Sequence, residues 1–520
     1  MYHIISVKLK YKQLDTASCA HKVYPSPEEM SLDASVLKSI LSKSNNEPRI
    51  EKFEEQVDLH QIEVPAFQEW RFELTNKDLL KIKLTKGTAE IFGTELSQNY
   101  EYTFQGSLKS CVSTFSGCTL EYYNCQPSSE YVGEETCIGT FLNLDLALEN
   151  KRAQGYGAPR VLVIGPKSSG KTSLCRVLVS YAEKMDRRPL YVNLNPQEPV
   201  FTISGNLTAT AISGMLNLEN VCLGETITTG PSFYHPKQPL VKNFGMENYR
   251  DNLKFYKYLI GQMSECIEKR LLKSADVRSS GIIVDTPAFH IGDLDVIQCI
   301  IDELKINVLI VVGNERLLVD LKRKLKYNES ELTLLKVAKS SGCVDIDDKF
   351  QREIQQRAIK EYFYGISSSP LSPYTIVVNL KDFVFLNPRT LENLNLAFLS
   401  GDTAEEDSSE AGTGIESGNK SNSFKDYMER LTTPSSSNLQ NAILAFADDS
   451  DLEMGKYIGS PDDSENNNNL IQTVSGRNVL GFCYVLNCDD EKGKLKLLIP
   501  SPVQHLPTKV LILTQLRYNE

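Results

Sequence analysis

No apolar run in this 520-residue chain approaches the ~20 residues that a membrane-spanning helix needs. The opening Met1-Tyr2-His3-Ile4-Ile5 has no basic stretch followed by a long apolar core, so a secretory signal is not expected. The 12 cysteines contain no C-x-x-C pair, which argues against a zinc ribbon or a disulfide framework. Cys175, Cys299 and Cys483 lie within apolar segments and read as small core residues in a reducing compartment. The six histidines show no metal-ligand spacing, and His235 and His290 read as local hydrogen-bonding residues. Positive charge is in deficit: the net charge is −11, so overall electrostatics does not favour nucleic acid, and any RNA contact needs a local basic patch. There is no internal repeat. An ordinary 41% of residues are hydrophobic and 24% charged, which fits a soluble globular chain of about three domains.

One motif stands out. Gly165-Pro166-Lys167-Ser168-Ser169-Gly170-Lys171-Thr172 fits the phosphate-loop pattern G-x-x-x-x-G-K-[ST]. Arg160 to Ile164 before it reads as a buried strand, and Leu174 to Tyr181 after it reads as a helix. The glycines let several backbone N–H groups turn toward one anion, and the helix N-terminus adds positive potential. Lys171 then reaches the β- and γ-phosphates, and Thr172 supplies a hydroxyl to Mg²⁺. Gly165, Ser168, Ser169, Gly170 and Ser173 complete the expected nucleotide contacts. An acidic protein with a nucleotide site fits an assembly subunit at least as well as a free RNA-binding enzyme.

The chain divides by texture. Residues 1–55 read as a poorly ordered extension, with one short helix over Leu32 to Ser42. Residues 56–135 carry short alternating runs such as Trp70-Arg71-Phe72-Glu73-Leu74 and Leu80-Lys81-Ile82-Lys83-Leu84, which predict an N-terminal β-sandwich. A helix near Phe141 to Arg152 leads into a central P-loop α/β domain over 136–368, with strands at 160–164, 190–194, 281–285, 306–312 and 374–379 and helices at 172–186, 247–271, 293–304 and 350–363. That alternation predicts a parallel sheet covered on both faces. Residues 369–520 read as a small β-rich (α+β) C-terminal domain with acidic inserts, expected to be disordered, at 401–434 and 448–474.

These motifs resemble the eukaryotic family of RNA 5′-hydroxyl polynucleotide kinases, and within it the ATP-binding subunits of fungal pre-mRNA cleavage and polyadenylation factor IA. The resemblance runs from about Val57 to Glu520 outside the acidic inserts. It rests on Ala89 to Leu96, the phosphate loop, Pro199 to Gly205, Val241 to Gly245, Ile359 to Gly365, Ser436 to Ile443 and Pro507 to Tyr518. It implies ATP and Mg²⁺ as ligands and a nuclear role in mRNA 3′-end formation and coupled transcription termination. The implied partners are the scaffold subunit of cleavage factor IA that reads the RNA polymerase II C-terminal domain, other cleavage and polyadenylation factor subunits and, indirectly, pre-mRNA. It also assigns adenine contacts to Glu69 and Lys109, which pattern alone would read as exposed strand residues. A carboxylate can accept from the adenine N6 amine.

Active members of that family share three features that are altered here. Where they carry an aspartate after the second strand this chain has Asn195, whose amide cannot act as a general base. Glu198 lies nearby, but three residues on its reach differs. Where they carry Thr-x-Gly-Trp to clasp a nucleobase, this chain has Asp285-Thr286-Pro287-Ala288-Phe289, with Phe289 as a weak stacking candidate. Asp285 fits a metal position through water, or a strand-end aspartate that caps the next turn. In the arginine-rich lid, Gln355 and Ala358 stand where arginine is expected, and Arg352 and Arg357 are out of register. The expectation is therefore no catalytic residue: ATP is retained as a structural ligand of a scaffold. The alternative is an active ATP-dependent RNA 5′-hydroxyl polynucleotide kinase.

Overall fold

The computed structural model describes residues 58–153, 157–224, 239–325, 331–390, 424–458, 464–503 and 505–518. The expected N-terminal extension, His235 and residues 401–423 of the first acidic insert lie outside them.

Two antiparallel sheets face each other at the N-terminal end. One runs in the order β1 (His60–Val64), β8 (Cys118–Tyr123), β3 (Leu79–Gly87), β6 (Glu101–Gln105). The other runs β5 (Thr94–Glu95), β4 (Glu90–Ile91), β7 (Leu108–Thr114), β2 (Gln68–Leu74), β9 (Ser129–Gly133). Strand alternation divides β2 into two faces. Trp70, Phe72 and Leu74 enter the core, where Trp70 stacks on Phe72 and Tyr122 at 4.7 and 5.1 Å. Burying each such side chain contributes roughly 1.5–3 kcal/mol. Glu69, Arg71 and Glu73 take the opposite face, away from that core.

The helix α1 (Ile138–Ala153) leads to the central sheet. Its order is β13 (Leu240–Asn243), β12 (Asn206–Ala211), β11 (Leu190–Asn193), β14 (Ile282–Asp285), β10 (Arg160–Ile164), β15 (Val308–Val312), β16 (Thr333–Val337). The run from β11 to β16 is parallel, β12 returns antiparallel to β11, and β13 antiparallel to β12. Around it lie α2 (Lys171–Lys184), α3 (Leu253–Lys273), α4 (Ala275–Ser280), α5 (Leu294–Leu304), α6 (Glu315–Lys324) and α7 (Asp348–Tyr364).

A hairpin of β17 (Gly365–Ile366) and β18 (Ser369–Pro370) precedes the C-terminal sheet. That sheet runs β19 (Tyr374–Asn379), β24 (Lys494–Ile499), β23 (Val479–Asp489), β22 (Ala442–Ala447), β25 (Val510–Arg517), β20 (Val384–Pro388), β21 (Met428–Arg430). The short helices α8 (Ser436–Leu439) and α9 (Gly455–Ile458) and the longer α10 (Ser464–Val474) accompany it. Core residues of the central and C-terminal sheets form one cluster, in which Phe255 stacks on Tyr427 at 5.2 Å.

The multidomain fold class stands, with three corrections. The strand at 374–379 belongs to the edge of the C-terminal sheet, paired with β24, and the fifth parallel central strand is β16. Residues 374–379 are half-buried at best, as an antiparallel edge requires, whereas β15 is buried at every position. The insert expected to be disordered over 448–474 contains α10, whose Leu470, Ile471 and Val474 are buried in the shared core. Its polar composition hides a short apolar face at its end. In the first insert, the chain from Phe424 onward is folded, with Tyr427 and Met428 buried. No helix among the described residues is long and apolar enough to cross a membrane. Cys175 and Cys483 are buried, Cys299 partly so, and the described cysteines are all free thiols.

Candidate nucleotide site

The phosphate loop leaves the carboxyl end of β10, in the middle of the central sheet. Gly170 takes a left-handed φ of 87°, and a Cβ there would lie 2.8 Å from the Cys343 sulfur. Ser168 is also left-handed, at φ 55°, and its Oγ accepts the amide of Ile346 at 3.3 Å. Ser169 Oγ and Lys171 Nζ both donate to the Pro166 carbonyl at 2.9 Å. Burial lowers the Lys171 pKa, while Asp285 and Glu198 pull it back up. Lys171 therefore faces two carboxylates across the loop.

Asp285 ends β14, the strand next to β10. It is buried, which raises its pKa against the pull of the Thr172 hydroxyl and Lys171. The Thr172 hydroxyl stands beside its side chain, and Tyr191 Oη donates to it at 3.4 Å. Its Oδ1 also accepts the Thr286 amide at 2.9 Å, so the turn-capping reading holds alongside the ligand reading. A hydroxyl and a carboxylate side by side suit a hard divalent cation.

The sandwich supplies the opposite wall. A cavity of about 210 Å³ lies between the Glu69 face of β2 and the loop residues Ser169, Gly170 and Ser173. Glu69 is not an exposed strand residue: it is 5% exposed, and its oxygens accept from Arg71 Nε and Thr136 Oγ1, each at 2.7 Å. Lys109 sits opposite Glu73 in the β2–β7 register and pairs with it at 3.3 Å. Its Nζ also lies 3.5 Å from the Asp345 carbonyl and 5.3 Å from the Phe350 ring centroid. Sequence reasoning missed Arg71. Its guanidinium joins Glu69, the Tyr131 hydroxyl, the Glu135 carbonyl and Ser341 Oγ, tying the sandwich to the loop after β16. The alternation of β2 already put Arg71 on the Glu69 face, but nothing local announced Ser341.

A second cavity, of about 310 Å³, continues past Lys171 and Thr172. Asn195 lines it, but its carboxamide oxygen accepts the Gln197 amide at 3.3 Å and so is engaged in its own turn. Glu198 also lines it, contrary to the reach expected from its position three residues on. Burial and the Asp285 charge push its carboxyl up to about 7, with Lys171 opposing. From α7, Gln351 donates to the Gln197 carbonyl at 3.1 Å, and Arg357 pairs with Glu361 at 2.7 Å. Gln355 and Ala358 face inward and are buried, while Arg352 is exposed. Phe289 is fully buried and packs edge-on against Tyr249, so it is a core residue and not a stacking platform.

Comparison with known proteins fits this arrangement domain by domain. Residues 63–155 match the family described as the N-terminal beta-sandwich domain of polyadenylation factor. Residues 165–365 match the mRNA cleavage and polyadenylation factor CLP1 P-loop, and 371–520 the pre-mRNA cleavage complex II protein Clp1. The mRNA cleavage and polyadenylation factor CLP1 of Debaryomyces hansenii is 39% identical over 492 residues, covering 88% of this chain and 95% of its own. The protein of that name from Candida albicans is 35% identical, covering 88% and 96%. This chain belongs to the CLP1 family. A solved wild-type Clp1p–Pcf11p complex matches with a TM-score of 0.74 at 31% identity, over 89% of this chain and 99% of that one. A second CLP1-family structure matches with the same TM-score and coverage at 30% identity. It describes an extended Pcf11p–Clp1p interface and the structural basis for ATP loss in a glycine-to-arginine point mutant. Membership makes the chain an mRNA cleavage and polyadenylation factor with a nucleotide-binding P-loop domain.

Proposed function

We propose that this chain is a non-catalytic, ATP-holding scaffold subunit of nuclear cleavage factor IA. The observation that carries the reading is an asymmetry across the phosphate loop. On the adenine side, Glu69, Lys109 and Ser173 line a cavity with Gly170 of the loop. On the far side, Asn195 is engaged in its own turn, and α7 presents Phe350, Gln351, Ile354 and Arg357, the arginine being already paired with Glu361. Gly165, Ser168, Ser169, Gly170 and Lys171 hold the phosphates. Thr172 and Asp285 hold Mg²⁺, which when bound neutralises phosphate charge. Because the base contacts the sandwich and the phosphates contact the central domain, ATP braces the two. The solved Clp1p–Pcf11p complexes support a partner of the Pcf11p kind. In our reading that partner is the scaffold subunit expected to read the RNA polymerase II C-terminal domain.

One observation favours a second reading, an active RNA 5′-hydroxyl kinase. Glu198 lies in the phosphate cavity with a pKa of about 7, a value suited to a general base. The test is phosphate transfer from labelled ATP to a 5′-hydroxyl oligonucleotide, alongside extraction of nucleotide from the purified protein. Intact ATP and no transfer support the scaffold. Transfer that disappears in Lys171→Ala and Glu198→Gln supports the kinase.

A further inference from the structure

Arg176 is a charge that the structure leaves uncompensated. It lies on α2, three residues beyond Ser173 and four beyond Thr172, so it shares their face of the helix. Helical side chains lean back toward the N-terminus, which returns its guanidinium toward the phosphate loop. It lines the phosphate cavity. Its Nε is buried, and among the described residues that atom has no hydrogen-bond partner and the guanidinium no carboxylate within ion-pairing distance. Burial pulls its pKa down to about 10, and only Tyr191 and Cys111 push against it. A half-buried guanidinium without an anion is costly, and its buried Nε–H donor is left unused.

Its one strong neighbour is Phe92, whose ring centroid lies 4.4 Å from the guanidinium carbon. Phe92 occupies the turn between β4 and β5 at φ 47°, a left-handed conformation uncommon for a bulky side chain. Gly93 follows at φ 82°, so close to α2 that a Cβ would lie 3.0 Å from the Val177 Cα. The hairpin is thus pressed onto the helix with its strained residue over the arginine. Cation–π contact fixes the plane of the guanidinium but does not replace an anion. Phe92 also borders the adenine cavity, so the pair stands where the two cavities meet.

We propose that Arg176 is a phosphate-binding residue, and that the anion completing it is the polyphosphate chain of the nucleotide on the loop, with Phe92 holding the guanidinium in plane. This rests on the ATP-binding reading above. The test compares the parent, Arg176→Lys, Arg176→Leu and Lys171→Ala after nucleotide is stripped with a chelator. Binding of Mg-ATP and of adenosine is measured, together with melting of the nucleotide-free proteins. Losing a charge-assisted hydrogen bond lowers ATP affinity about ten- to a hundredfold in Arg176→Leu. Adenosine affinity stays within about twofold, Arg176→Lys recovers part of the loss, and nucleotide-free Arg176→Leu melts at or above the parent. That last sign separates ligand binding from packing, since a structural arginine would lower the melting temperature. Equal ATP binding by parent and Arg176→Leu overturns this proposal alone, as does an equal loss for ATP and adenosine. A parent that binds ATP no better than Lys171→Ala overturns the nucleotide reading and this proposal with it.

Discussion

The hydroxyl of Thr172 stands beside the carboxylate of Asp285 and favours its charged form against burial. One ends the phosphate loop and the other ends β14, so two adjacent strands deliver the two oxygen donors to one point. Replacing Asp285 by Asn keeps the shape but removes the charge a divalent cation needs. Asp285→Asn is expected to bind ATP with a much weaker dependence on Mg²⁺ than the parent. Titrating Mg²⁺ at fixed ATP measures this, and an unchanged dependence would assign Asp285 to turn capping alone.

Arg71 carries more of the cavity wall than Glu69 does. It bonds four groups in three different segments, while Glu69 bonds two. Arg71→Ala leaves the Glu69 carboxylate buried without its cation, which typically costs about 3–5 kcal/mol. Glu69→Gln keeps an acceptor and should cost well under half of that. Denaturant melts of both variants decide the order; a larger loss in Glu69→Gln would reverse the assignment.

How much of this was legible beforehand follows from distance along the chain. Lys171, Thr172 and the strand and helix around them lie within about 25 residues, and local pattern was enough. Asp285 could be placed because a strand end is a local feature. Arg71 could not, since its contact with Ser341 spans 270 residues. The same holds for Glu198: its sequence offset suggested the wrong reach, because the turn that carries it brings it to the cavity that Lys171 lines. Composition misled at α10, where Ser464 to Asn469 look like a disordered tract and only Leu470, Ile471 and Val474 show that the segment packs.

No 5′-hydroxyl phosphorylation is expected, and Asn195→Asp alone should not restore it. Arg357 is the arginine that α7 brings to the phosphate cavity, and it remains paired with Glu361. Charge on a transferring phosphoryl group would therefore lack an unpaired lid arginine. Label transfer by the parent above a Lys171→Ala control is the outcome that refutes this.

Glu198 gives the nucleotide-free protein a pH dependence of known sign. Its folded pKa of about 7 lies above the ordinary 4.5, so between those values the folded state holds a proton that the unfolded state releases. Stability from this group is therefore lost as pH rises through that window, by at most ~3 kcal/mol. Glu198→Gln cannot ionise, so its gain in melting temperature over the parent should be larger near pH 8 than near pH 5. Equal gains at both would mean that the Glu198 carboxyl ionises normally in the folded protein.

The last prediction concerns what the nucleotide does for assembly. If ATP braces the sandwich against the central domain, it adds to direct contacts that already join them, Arg71 to Ser341 and Thr103 to Glu219 among them. Glu90 holds Tyr181 and Lys184, Thr94 meets Ser180 at 3.3 Å, and Ser107 bonds Glu353. These join the same two layers that ATP spans, so losing ATP should loosen the interface without unfolding either layer. Lys171→Ala removes a charge-assisted phosphate bond of about 1.5–3 kcal/mol and should empty the site at modest ATP. Its melting temperature should then no longer respond to ATP, and capture by a partner of the Pcf11p kind should weaken. Glu90→Gln should weaken capture in the same direction while leaving ATP binding in place. Measuring both variants separates the brace from the bond: a Lys171→Ala protein that loses ATP yet melts and assembles like the parent leaves the nucleotide without a structural role, whatever Glu90 contributes.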